Sequence, residues 1–481
     1  MCICLFRPPV NRLPWRCVAH GRPLVYDDAS EPGIVFVMKY PGARPPAIVV
    51  PIVLTLWILV PASPVIARGD PQEPAGTRDA QEEQQEAEVV EDPGGMYGEY
   101  DSTQEASGTS WQPASSPQDS VSLRFGGEWV FMLQGFANGA YTDDPDPRGD
   151  QAGLTTNMFL LEAIRPTFEG SLGVRWMTSL EPAMGKRGYP LLTQTGQTAD
   201  GTNPLFDRQY PHDLFMELAV TFTTPVTDSH SVFVYFAPVG EPALGPPSFL
   251  NRFSGVYDPV APTTQLWLNS TRITYGVLTL GFVATDKVKV EASLFRGLEP
   301  DENRWGIEAP GFDSVSGRVT VNPNEDWSLQ ASFADLEAPE RVNPGVNVKV
   351  FTASATHNRK RENGNWQTTV AYGLRKREGS DGQNAFLAES ALRLKASHTL
   401  FGRFELAEKD GLFPIDDPLT AEVFDVGKLT FGYLYSFPIP GHVGIGVGAS
   451  ASIHFLADEL SSAYDGKRPS SYNVFARFAL K

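Results

Sequence analysis

The last residues of the chain form the pattern that most limits its fold. Alternate positions carry Tyr472, Val474, Ala476, Phe478 and Leu480, and the positions between them carry Asn473, Phe475, Arg477 and Ala479, followed by Lys481. Side chains along a strand point alternately to its two faces. The segment therefore predicts a strand with one apolar face and one largely polar face. No helical pattern follows it, so we expect this strand to complete a sheet.

The same alternation recurs from residue 127 onward and predicts sixteen strands. They cover 127–141, 155–165, 170–181, 214–224, 230–238, 271–283, 287–297, 313–322, 326–335, 347–358, 364–375, 384–395, 398–408, 422–437, 441–455 and 470–480. Soluble strands usually have about five to six residues, whereas a tilted strand that crosses a bilayer needs about nine to eleven. Most of the predicted strands have the longer length, which favours an all-β transmembrane fold.

The connections between these strands alternate in length. Short turns such as 166–169 and 395–397 follow the even strands, whereas long loops such as 182–213 and 239–270 follow the odd strands. Turns at one end and loops at the other are typical of a transmembrane antiparallel up-and-down β-barrel. We expect residues 121–481 to form this barrel. The first and the last strand should begin and end, respectively, on the side of the short turns, so that both termini lie there.

A long apolar run near the N-terminus, 47–60, indicates a targeting segment. Lys39 and Arg44 precede the run, and the small-residue stretch 65–67 follows it. This order is typical of a secretory signal peptide, which we place at 38–67. A membrane anchor is the alternative interpretation, but a run of about fourteen residues is short for a helical span.

Residues 1–37 precede the predicted signal peptide, and we interpret them as upstream sequence translated from a wrongly chosen start. All three cysteines of the chain, Cys2, Cys4 and Cys17, lie there. The mature chain would then contain no cysteine. That excludes a disulfide, a thiolate nucleophile and a lipidated cysteine.

Residues 68–120 are rich in Glu, Asp, Gln, Ser, Pro and Gly and contain few large apolar side chains. A segment of this composition buries too little surface to offset the entropy lost on ordering. We therefore predict a disordered acidic linker here. The whole chain has a formal net charge of -18, which argues against a nucleic-acid partner because such a partner needs a basic surface.

The strand lengths, the alternating connections and the C-terminal strand make the chain resemble Gram-negative outer-membrane β-barrels, and sixteen strands resemble the porin class. The resemblance implies the outer membrane as location, with its lipid and its assembly machinery as partners, and a possible homo-oligomer. It also implies passive diffusion of small polar solutes or ions through a channel that long loops gate or narrow. It implies neither an enzyme nor a cofactor.

Four stretches are similar to a family of bacterial envelope proteins of unassigned function. They are 185–192 (GKRGYPLL), 207–218 (DRQYPHDLFMEL), 241–247 (EPALGPP) and 296–301 (RGLEPD). This second resemblance implies the same location in the cell envelope and supplies no activity.

The inward face of the barrel should carry charges of both signs. The alternation places there Glu162, Arg175, Glu217, Lys289, Glu291, Glu389, Arg393, Arg403, Glu405 and Lys428. One interpretation is that separate acidic and basic ladders set up a field across an open pore. The other is that opposite charges on neighbouring strands pair and fill the interior, above all Glu389, Arg393, Arg403 and Glu405.

Two loops of about thirty residues, 182–213 and 239–270, are the main candidates for function, because long ordered loops often carry it. Either they turn inward and narrow the pore, or they cover its mouth as a lid. If the first loop folds inward, its charges would lie at the narrowest point. Those charges are the positive Lys186, Arg187 and Arg208, opposed by Asp207 and Asp213.

His212 and Asp213 carry the alternative function, a non-conducting barrel with a metal site or an enzyme on its rim. Glu217, Met184 and Met216 lie near them in sequence and could assist a metal. However, only one histidine is present, and the strand alternation puts Met216 and Glu217 on opposite faces. A Gly-x-Ser-x-Gly motif is absent from the sequence. We therefore expect no metal and no catalytic residue.

Overall fold

The computed structural model describes the backbone of residues 17–19, 22–24, 88–89 and 94–481, apart from 126–127, 168 and 269–272. The chain divides into two units, Met1–Ala80 and Gln81–Lys481. The described residues of the first unit form one antiparallel pair, Cys17–Ala19 with Arg22–Leu24. The predicted signal peptide, 38–67, lies outside the described residues, as does most of the predicted upstream extension.

Sixteen antiparallel strands close the second unit into a barrel. They are β1 (Trp129–Asp143), β2 (Gln151–Thr167), β3 (Gly170–Thr178), β4 (Phe215–Thr227), β5 (His230–Gly240), β6 (Thr274–Ala284), β7 (Val288–Phe295), β8 (Ser314–Asn324), β9 (Trp327–Leu336), β10 (Val348–Arg361), β11 (Gly364–Arg377), β12 (Gly382–Leu394), β13 (His398–Lys409), β14 (Phe424–Ser436), β15 (Val443–Leu456) and β16 (Ser470–Leu480). Each strand pairs with the next, and β16 pairs with β1. The predicted fold class and strand count are confirmed.

The barrel is apolar outside and polar inside. In β16, Tyr472, Val474 and Phe478 are exposed, whereas Asn473 and Arg477 are buried. The same alternation of exposed apolar and buried polar side chains runs through the other strands. Soluble proteins have the opposite arrangement. A continuous apolar belt on a closed barrel therefore indicates that bilayer lipid surrounds it.

The two ends of the barrel differ, as the connection lengths predicted. The turn end holds the short turns that follow the even strands, together with the start of β1 and the end of β16. The loop end holds the long connections, of which 179–214 and 241–273 are the longest. One exception is the connection between β11 and β12, which has only residues 378–381.

Further elements lie at both ends. Ser120–Phe125 pairs with the first half of β1 at the turn end. β16 pairs with the second half of β1, so the two pairings follow each other along this strand. In the loop between β3 and β4, Tyr189–Thr198 and Pro204–Gln209 form a hairpin. The helices are α1 (Gln265–Leu268) and the 3-10 turns Ser102–Gln104, Glu181–Met184 and Asp458–Leu460. No helix in the described part of the chain is long and apolar enough to cross a bilayer.

Two stretches of chain occupy the interior of the barrel. The first, which we call the inner segment, is 94–119 and precedes β1. The second, which we call the inserted loop, is 241–268 and follows β5. Most residues of both stretches are buried. The lumen is therefore filled by parts of the same chain and not only by side chains of the wall.

The prediction of a disordered linker over 68–120 is wrong for the inner segment. Met96, Tyr97 and Trp111 are buried in one apolar cluster with Phe233 of the wall. Met96 also packs against Gly173 of β3, where a Cβ atom would lie 2.5 Å from its sulfur. The prediction considered only the surface that the segment could bury on its own. The barrel wall supplies the remaining apolar contacts.

Candidate functional site

The inner segment is anchored near the turn end. The backbone N–H of Ser115 donates to the Glu325 carbonyl (2.9 Å), and the Asn358 side chain donates to the Ser115 carbonyl (2.7 Å). Gln104 donates from its side chain to the carbonyl of Asp286 (2.9 Å). Glu325 and Asp286 both lie in short turns. The inner segment therefore fills the half of the lumen that faces the turn end.

Wall cations bind the backbone of the inner segment. Arg175 donates to the carbonyls of Ala106 (2.8 Å) and Gly108, and Lys289 donates to that of Thr109. The Lys289 ammonium also lies 4.6 Å from the ring centroid of Trp111. These carbonyls supply acceptors for cations that the filled lumen removes from water, which would otherwise be costly.

Arg175 is also paired along the wall. Its Nε lies 3.2 Å from Glu162 and 3.7 Å from Glu217, and Glu217 accepts a hydrogen bond from the Tyr235 hydroxyl at 2.7 Å. On β7 and β8, Arg318 pairs with Glu291 at 3.0 Å. These buried pairs match the second interpretation of the inward charges, in which opposite signs neutralise each other.

The inserted loop contributes its own charges to a second buried network. Arg252 of the loop pairs with Glu389 of β12 at 2.5 Å, and Arg403 of β13 pairs with Glu389 at 3.1 Å. Arg403 also pairs with Asp258 of the loop at 3.0 Å. All four side chains are at most 4% exposed. The network joins the inserted loop to two adjacent strands.

The predicted pairing among the four charges of β12 and β13 is only partly correct. Glu389 and Arg403 do pair. Arg393 pairs instead with Asp119 of the inner segment at 2.9 Å, and Glu405 accepts hydrogen bonds from the backbone N–H and hydroxyl of Thr264 at 3.0 Å. The strand pattern could not reveal these partners, because both lie in stretches that the sequence pattern did not assign to strands.

The inserted loop reaches several parts of the wall. Its backbone N–H groups at Ala243 and Gly245 donate to Ser293 (2.8 Å) and Ser332 (2.9 Å), on β7 and β9. On the opposite wall, Arg477 donates to the Val256 carbonyl at 3.0 Å. The loop thus crosses the lumen. Of the two predicted arrangements for the long loops, the inward one describes this loop.

The other long loop, between β3 and β4, forms a lid. Within it, Asp207 pairs with Arg148 at 2.6 Å and accepts from the Tyr464 hydroxyl at 2.8 Å, which ties the lid to other loops. Lys186 and Arg187 are exposed, and Arg208 pairs with Asp150 at 3.3 Å near the surface. The expected placement of these cations at the narrowest point required this loop to fold inward, and the inserted loop already occupies that volume. The lid therefore contains four of the residues predicted for the pore: Lys186, Arg187, Asp207 and Arg208.

His212 and Asp213 lie together at the base of the lid but have separate partners. The His212 ring nitrogen Nδ1 lies 2.8 Å from Glu181, and Asp213 lies 3.5 Å from Arg304. Glu217 takes part in the Arg175 pairs instead. Burial opposes the charged imidazole, but Glu181 and Asp213 outweigh it and raise the pKa of His212. Burial raises the pKa of Asp213 to about 7, against the effect of Arg304.

Among the described residues, no group of three or more His, Cys, Asp or Glu side chains converges. Nor does any serine hydroxyl hydrogen-bond to the described His212 ring. The contacts instead join the two ends of the lid loop, because Glu181 also accepts from the His212 backbone N–H at 2.9 Å.

A vestibule of about 840 Å³ lies at the turn end. It lies beside β11 to β16 and is bounded on one side by Tyr257 of the inserted loop. The charged side chains that line it are Asp119, Glu362, Arg393, Lys395, Arg477 and Lys481. Two further cavities, of about 450 and 440 Å³, lie along the inner segment at the same end.

An apolar layer separates the vestibule from the middle of the barrel. It consists of Phe253, Tyr257, Ala391, Phe401, Leu434 and Phe475. On its far side the wall is polar again: within the described chain, both ring nitrogens of His454 and the Asn473 side-chain oxygen are buried without a protein partner. Buried polar atoms of this kind are usually hydrated. The lumen beside β14 to β16 therefore has a polar level beyond the apolar layer.

These observations decide the class of the chain: sixteen strands close the barrel, lipid-compatible side chains cover it, and charges face its interior. The protein folds as a sixteen-stranded transmembrane β-barrel. No family model matches the chain, and no curated protein matches it.

Several solved structures are similar to the chain. OprB of Pseudomonas putida aligns with a TM-score of 0.49 and 8% identity over 73% of this chain and 94% of its own. An anion-selective porin of Comamonas acidovorans aligns with a TM-score of 0.47 and 10% identity over 73% and 100% of the two chains. OmpT of Vibrio cholerae, an outer membrane protein, aligns with a TM-score of 0.44 and 9% identity over 74% and 99%.

The sequence pattern missed four residues of the lumen: Asp119, Arg252, Asp258 and Arg477. A signal for two of them was present. Glu241, Arg252 and Asp258 are the only charged residues between 241 and 268. Isolated charges in a largely apolar loop are expected to find partners when the loop is buried. Arg477 was placed on the inward face but was not considered as a site.

Proposed function

We propose that the protein is a gated outer-membrane channel for small polar solutes, held closed by the inner segment. The observation that carries the proposal is the filled sixteen-stranded lumen. Barrels of about sixteen strands enclose more space than their wall side chains fill, whereas barrels of about eight do not. Here the additional space is taken by two stretches of chain, and removing either one would open it.

The inner segment is better suited to move than the inserted loop. The inserted loop is held at both ends by the long wall strands β5 and β6, whereas the chain on the N-terminal side of the inner segment is paired through two residues, Glu88–Val89, with Leu123 and Arg124. Cavities of about 450 and 440 Å³ flank it. Its withdrawal through the turn end would join these cavities to the vestibule. The turn end would face the periplasm, as the predicted topology requires.

The inserted loop would then define the narrowest part of the open channel. Its apolar layer with Phe401, Leu434 and Phe475 separates the vestibule from the polar level near His454. An apolar constriction of this kind can gate a pore by excluding water. Small polar or ionic solutes are the expected cargo, because the wall beyond the layer is polar. A homo-oligomer and an interaction with the assembly machinery remain predictions.

The proposal is tested by single-channel recording of refolded mature protein in a planar bilayer. We expect the full chain to be closed most of the time. A variant that lacks residues 94–117 should insert equally well and conduct at least ten times as often. Removal of the lid tip 199–203 is the matched control and should leave the closed state unchanged, because those residues lie outside the lumen.

A second variant tests the same proposal without shortening the chain. Gln367 of β11 donates to the Ser116 hydroxyl at 2.9 Å, so cysteines at both positions can be joined by a short thiol cross-linker. The cross-linked protein should stay closed, and cleavage of the linker should restore openings. If the variant that lacks residues 94–117 folds and inserts into the bilayer but never conducts, the proposal is wrong and the protein is a non-conducting barrel.

A further inference from the structure

The buried charges of the barrel wall are not balanced. The buried basic side chains on the strands are Arg175, Lys289, Arg318, Arg375, Arg403, Lys409, Lys428 and Arg477, eight in all, and the buried acidic ones are Glu162, Glu217, Glu291, Glu389 and Glu405, five in all. The described wall therefore carries three more positive than negative charges (8 − 5), in a chain whose formal net charge is -18. The wall strands, taken without the loops and the inner segment, thus have the sign opposite to that of the whole molecule.

The inner segment has the complementary sign. Between 94 and 119 it contains Glu99, Asp101, Glu105 and Asp119 and no lysine or arginine. It places these carboxylates inside or at the entrance of a lumen whose wall strands are basic. A stretch whose charged side chains are all acidic, next to basic wall strands, occupies the place that a small anion would take in its absence.

The vestibule contains two arginines whose guanidinium groups are held by aromatic rings of the inserted loop. Arg393 lies 5.1 Å from the ring centroid of Phe253, and Arg477 lies 5.3 Å from that of Tyr257. The two rings contact each other edge to face at 5.1 Å. Arg477 also lies 4.0 Å from the Phe136 ring. Contacts of this kind restrict an arginine while leaving its N–H groups able to bind an anion.

The two arginines differ in their partners. Both carboxylate oxygens of Asp119 accept from one Arg393 nitrogen, at 3.0 and 2.9 Å. The side chains of this pair are 22% and 42% exposed, so water and solutes can reach it. Arg477 is 7% exposed. It donates to the neutral oxygens of Asn138 (3.2 Å) and Val256 (3.0 Å), and no carboxylate of the described chain lies within 4.0 Å of it.

We propose that this vestibule is a binding site for the carboxylate or phosphate group of a small solute, with Arg393 and Arg477 as its main ligands and Asp119 as an internal substitute for the anion. Arginine is well suited to both groups, because its planar fork of N–H donors matches their oxygens. A volume of about 840 Å³ lies within the usual range for small-molecule sites. Lys395 and Lys481 add positive charge to the lining and Glu362 opposes it, so four basic side chains face two acidic ones.

The site deepens the proposed function and rests on it for one consequence only. An anion that displaces Asp119 removes the ion pair that joins the inner segment to β12, and so favours withdrawal of the segment. The binding step itself does not require conduction. Binding and opening can therefore fail separately.

The binding test uses the full mature chain, refolded in detergent, and isothermal titration with citrate and with inorganic phosphate at low salt. Sucrose is the neutral control. We expect saturable binding of at least one of the two anions. The preferred anion distinguishes a carboxylate solute from a phosphate solute. No binding of either anion would overturn the proposal.

Variants identify the site. The double variant Arg393→Gln and Arg477→Gln should bind the preferred anion at least tenfold more weakly. Asp119→Asn should bind it several-fold more tightly, because the internal competitor loses its charge. Lys481→Gln changes an exposed side chain of the vestibule lining and should weaken binding about twofold. Lys349→Gln removes an exposed positive charge on the outer face and should change nothing.

The outcomes separate the two proposals. If Lys349→Gln weakens binding as much as the double variant, or if Asp119→Asn binds no more tightly, the site assignment is wrong. If the variant without the inner segment conducts but the full chain binds no anion, the channel function is supported and the anion site is contradicted. If anions bind at Arg393 and Arg477 but the deletion never conducts, the vestibule is the ligand site of a closed barrel.

Discussion

The inserted loop and the inner segment both fill the lumen, but the barrel holds them by different interactions. The inserted loop is held by side-chain charges that are almost fully buried, in the network of Arg252, Asp258, Glu389 and Arg403. The inner segment is held mainly through its backbone carbonyls and through apolar contacts. Its ion pair within the described chain, Asp119 with Arg393, lies at the open edge of the vestibule.

This difference indicates which stretch belongs to the permanent wall. Removing one partner of a buried charge network leaves another charge uncompensated, which costs about 3–5 kcal/mol. A single hydrogen bond to a carbonyl contributes only about 1 kcal/mol, and somewhat more when the donor is charged. The inserted loop should therefore unfold only with the barrel. The inner segment should be able to leave a barrel that stays intact.

The largest expected effect is at Glu389. Glu389→Ala would leave the guanidinium groups of Arg252 and Arg403 without their shared carboxylate, at a cost of about 3–5 kcal/mol in the free energy of barrel unfolding. Urea unfolding of refolded protein in lipid vesicles, followed by tryptophan fluorescence, measures it. The control is Asp335→Ala, which removes an exposed pair with Lys349 and should cost less than about 1 kcal/mol. If Glu389→Ala and Asp335→Ala lower the free energy of unfolding equally, the buried charge network does not hold the inserted loop in place.

The second prediction concerns Trp111 of the inner segment. Its ring contacts Lys289 and packs edge to face on Tyr100 at 5.0 Å. Trp111→Ala should weaken docking of the segment by about 3–5 kcal/mol. Limited proteolysis should then cleave the inner segment much faster, while the urea midpoint of the barrel changes little. Trp111→Phe keeps an aromatic ring and should show a smaller increase in cleavage. A parallel loss of barrel stability would show that the two stretches unfold as one unit.

The barrel itself could be predicted from the sequence because its signal is repeated. Sixteen strands carry the same two-residue alternation, so an error at one strand end does not change the fold class. The inward positions of Glu162, Arg175 and Lys428 follow from the same alternation, and the structure places all three inside. Local pattern and global fold agree along the wall.

The contents of the lumen could not be predicted in the same way. The inner segment has no alternation and little apolar surface, so its composition indicates disorder. It is ordered by Gly173, Phe233 and Lys289, which lie far away in sequence. The lid was ambiguous for a related reason. Whether a long loop folds inward depends on whether another stretch already fills the space, and the sequence of the loop alone does not contain that information.

The third prediction is that the stability of the lid, at the loop end, depends on pH. Burial raises the pKa of Asp213 to about 7, so the folded lid holds a proton that the unfolded chain loses near pH 4. Lid stability should therefore fall as the pH rises from about 4 to about 7. The raised pKa of His212 acts in the same direction at higher pH. Proteolysis of the lid should accelerate over this range, with an effect of a few kcal/mol at most.

The variant Asp213→Asn tests the cause of this pH dependence. An asparagine side chain does not titrate, so the decline between pH 4 and pH 7 should become markedly smaller. Cleavage of the inner segment serves as the internal control, because the His212 corner contacts the lid and the inserted loop and not that segment. If cleavage of the lid is equally pH-dependent in the variant, another group controls the loop end.

The smallest expected effect on stability and ion selectivity comes from neutralising the cations of the lid. The same change in the vestibule serves as the comparison. Lys186 lies 3.9 Å from Glu302, and this pair is largely exposed at Lys186. Exposed pairs of this kind contribute about 0–1 kcal/mol. Neutralising Lys186 and Arg187 together should therefore leave barrel stability almost unchanged. It should also leave the ion selectivity of the channel opened by deletion of 94–117 unchanged, because both side chains lie outside the lumen.

The matched variant neutralises Arg393 and Arg477 in the same opened channel. These side chains line the vestibule, so the reversal potential in a salt gradient should shift toward cations, and the shift should shrink as salt screens the charges. If the lid pair shifts the reversal potential as strongly as the vestibule pair, the open channel is narrowest at the lid. The lid would then have to turn inward once the inner segment leaves, as the sequence alone suggested.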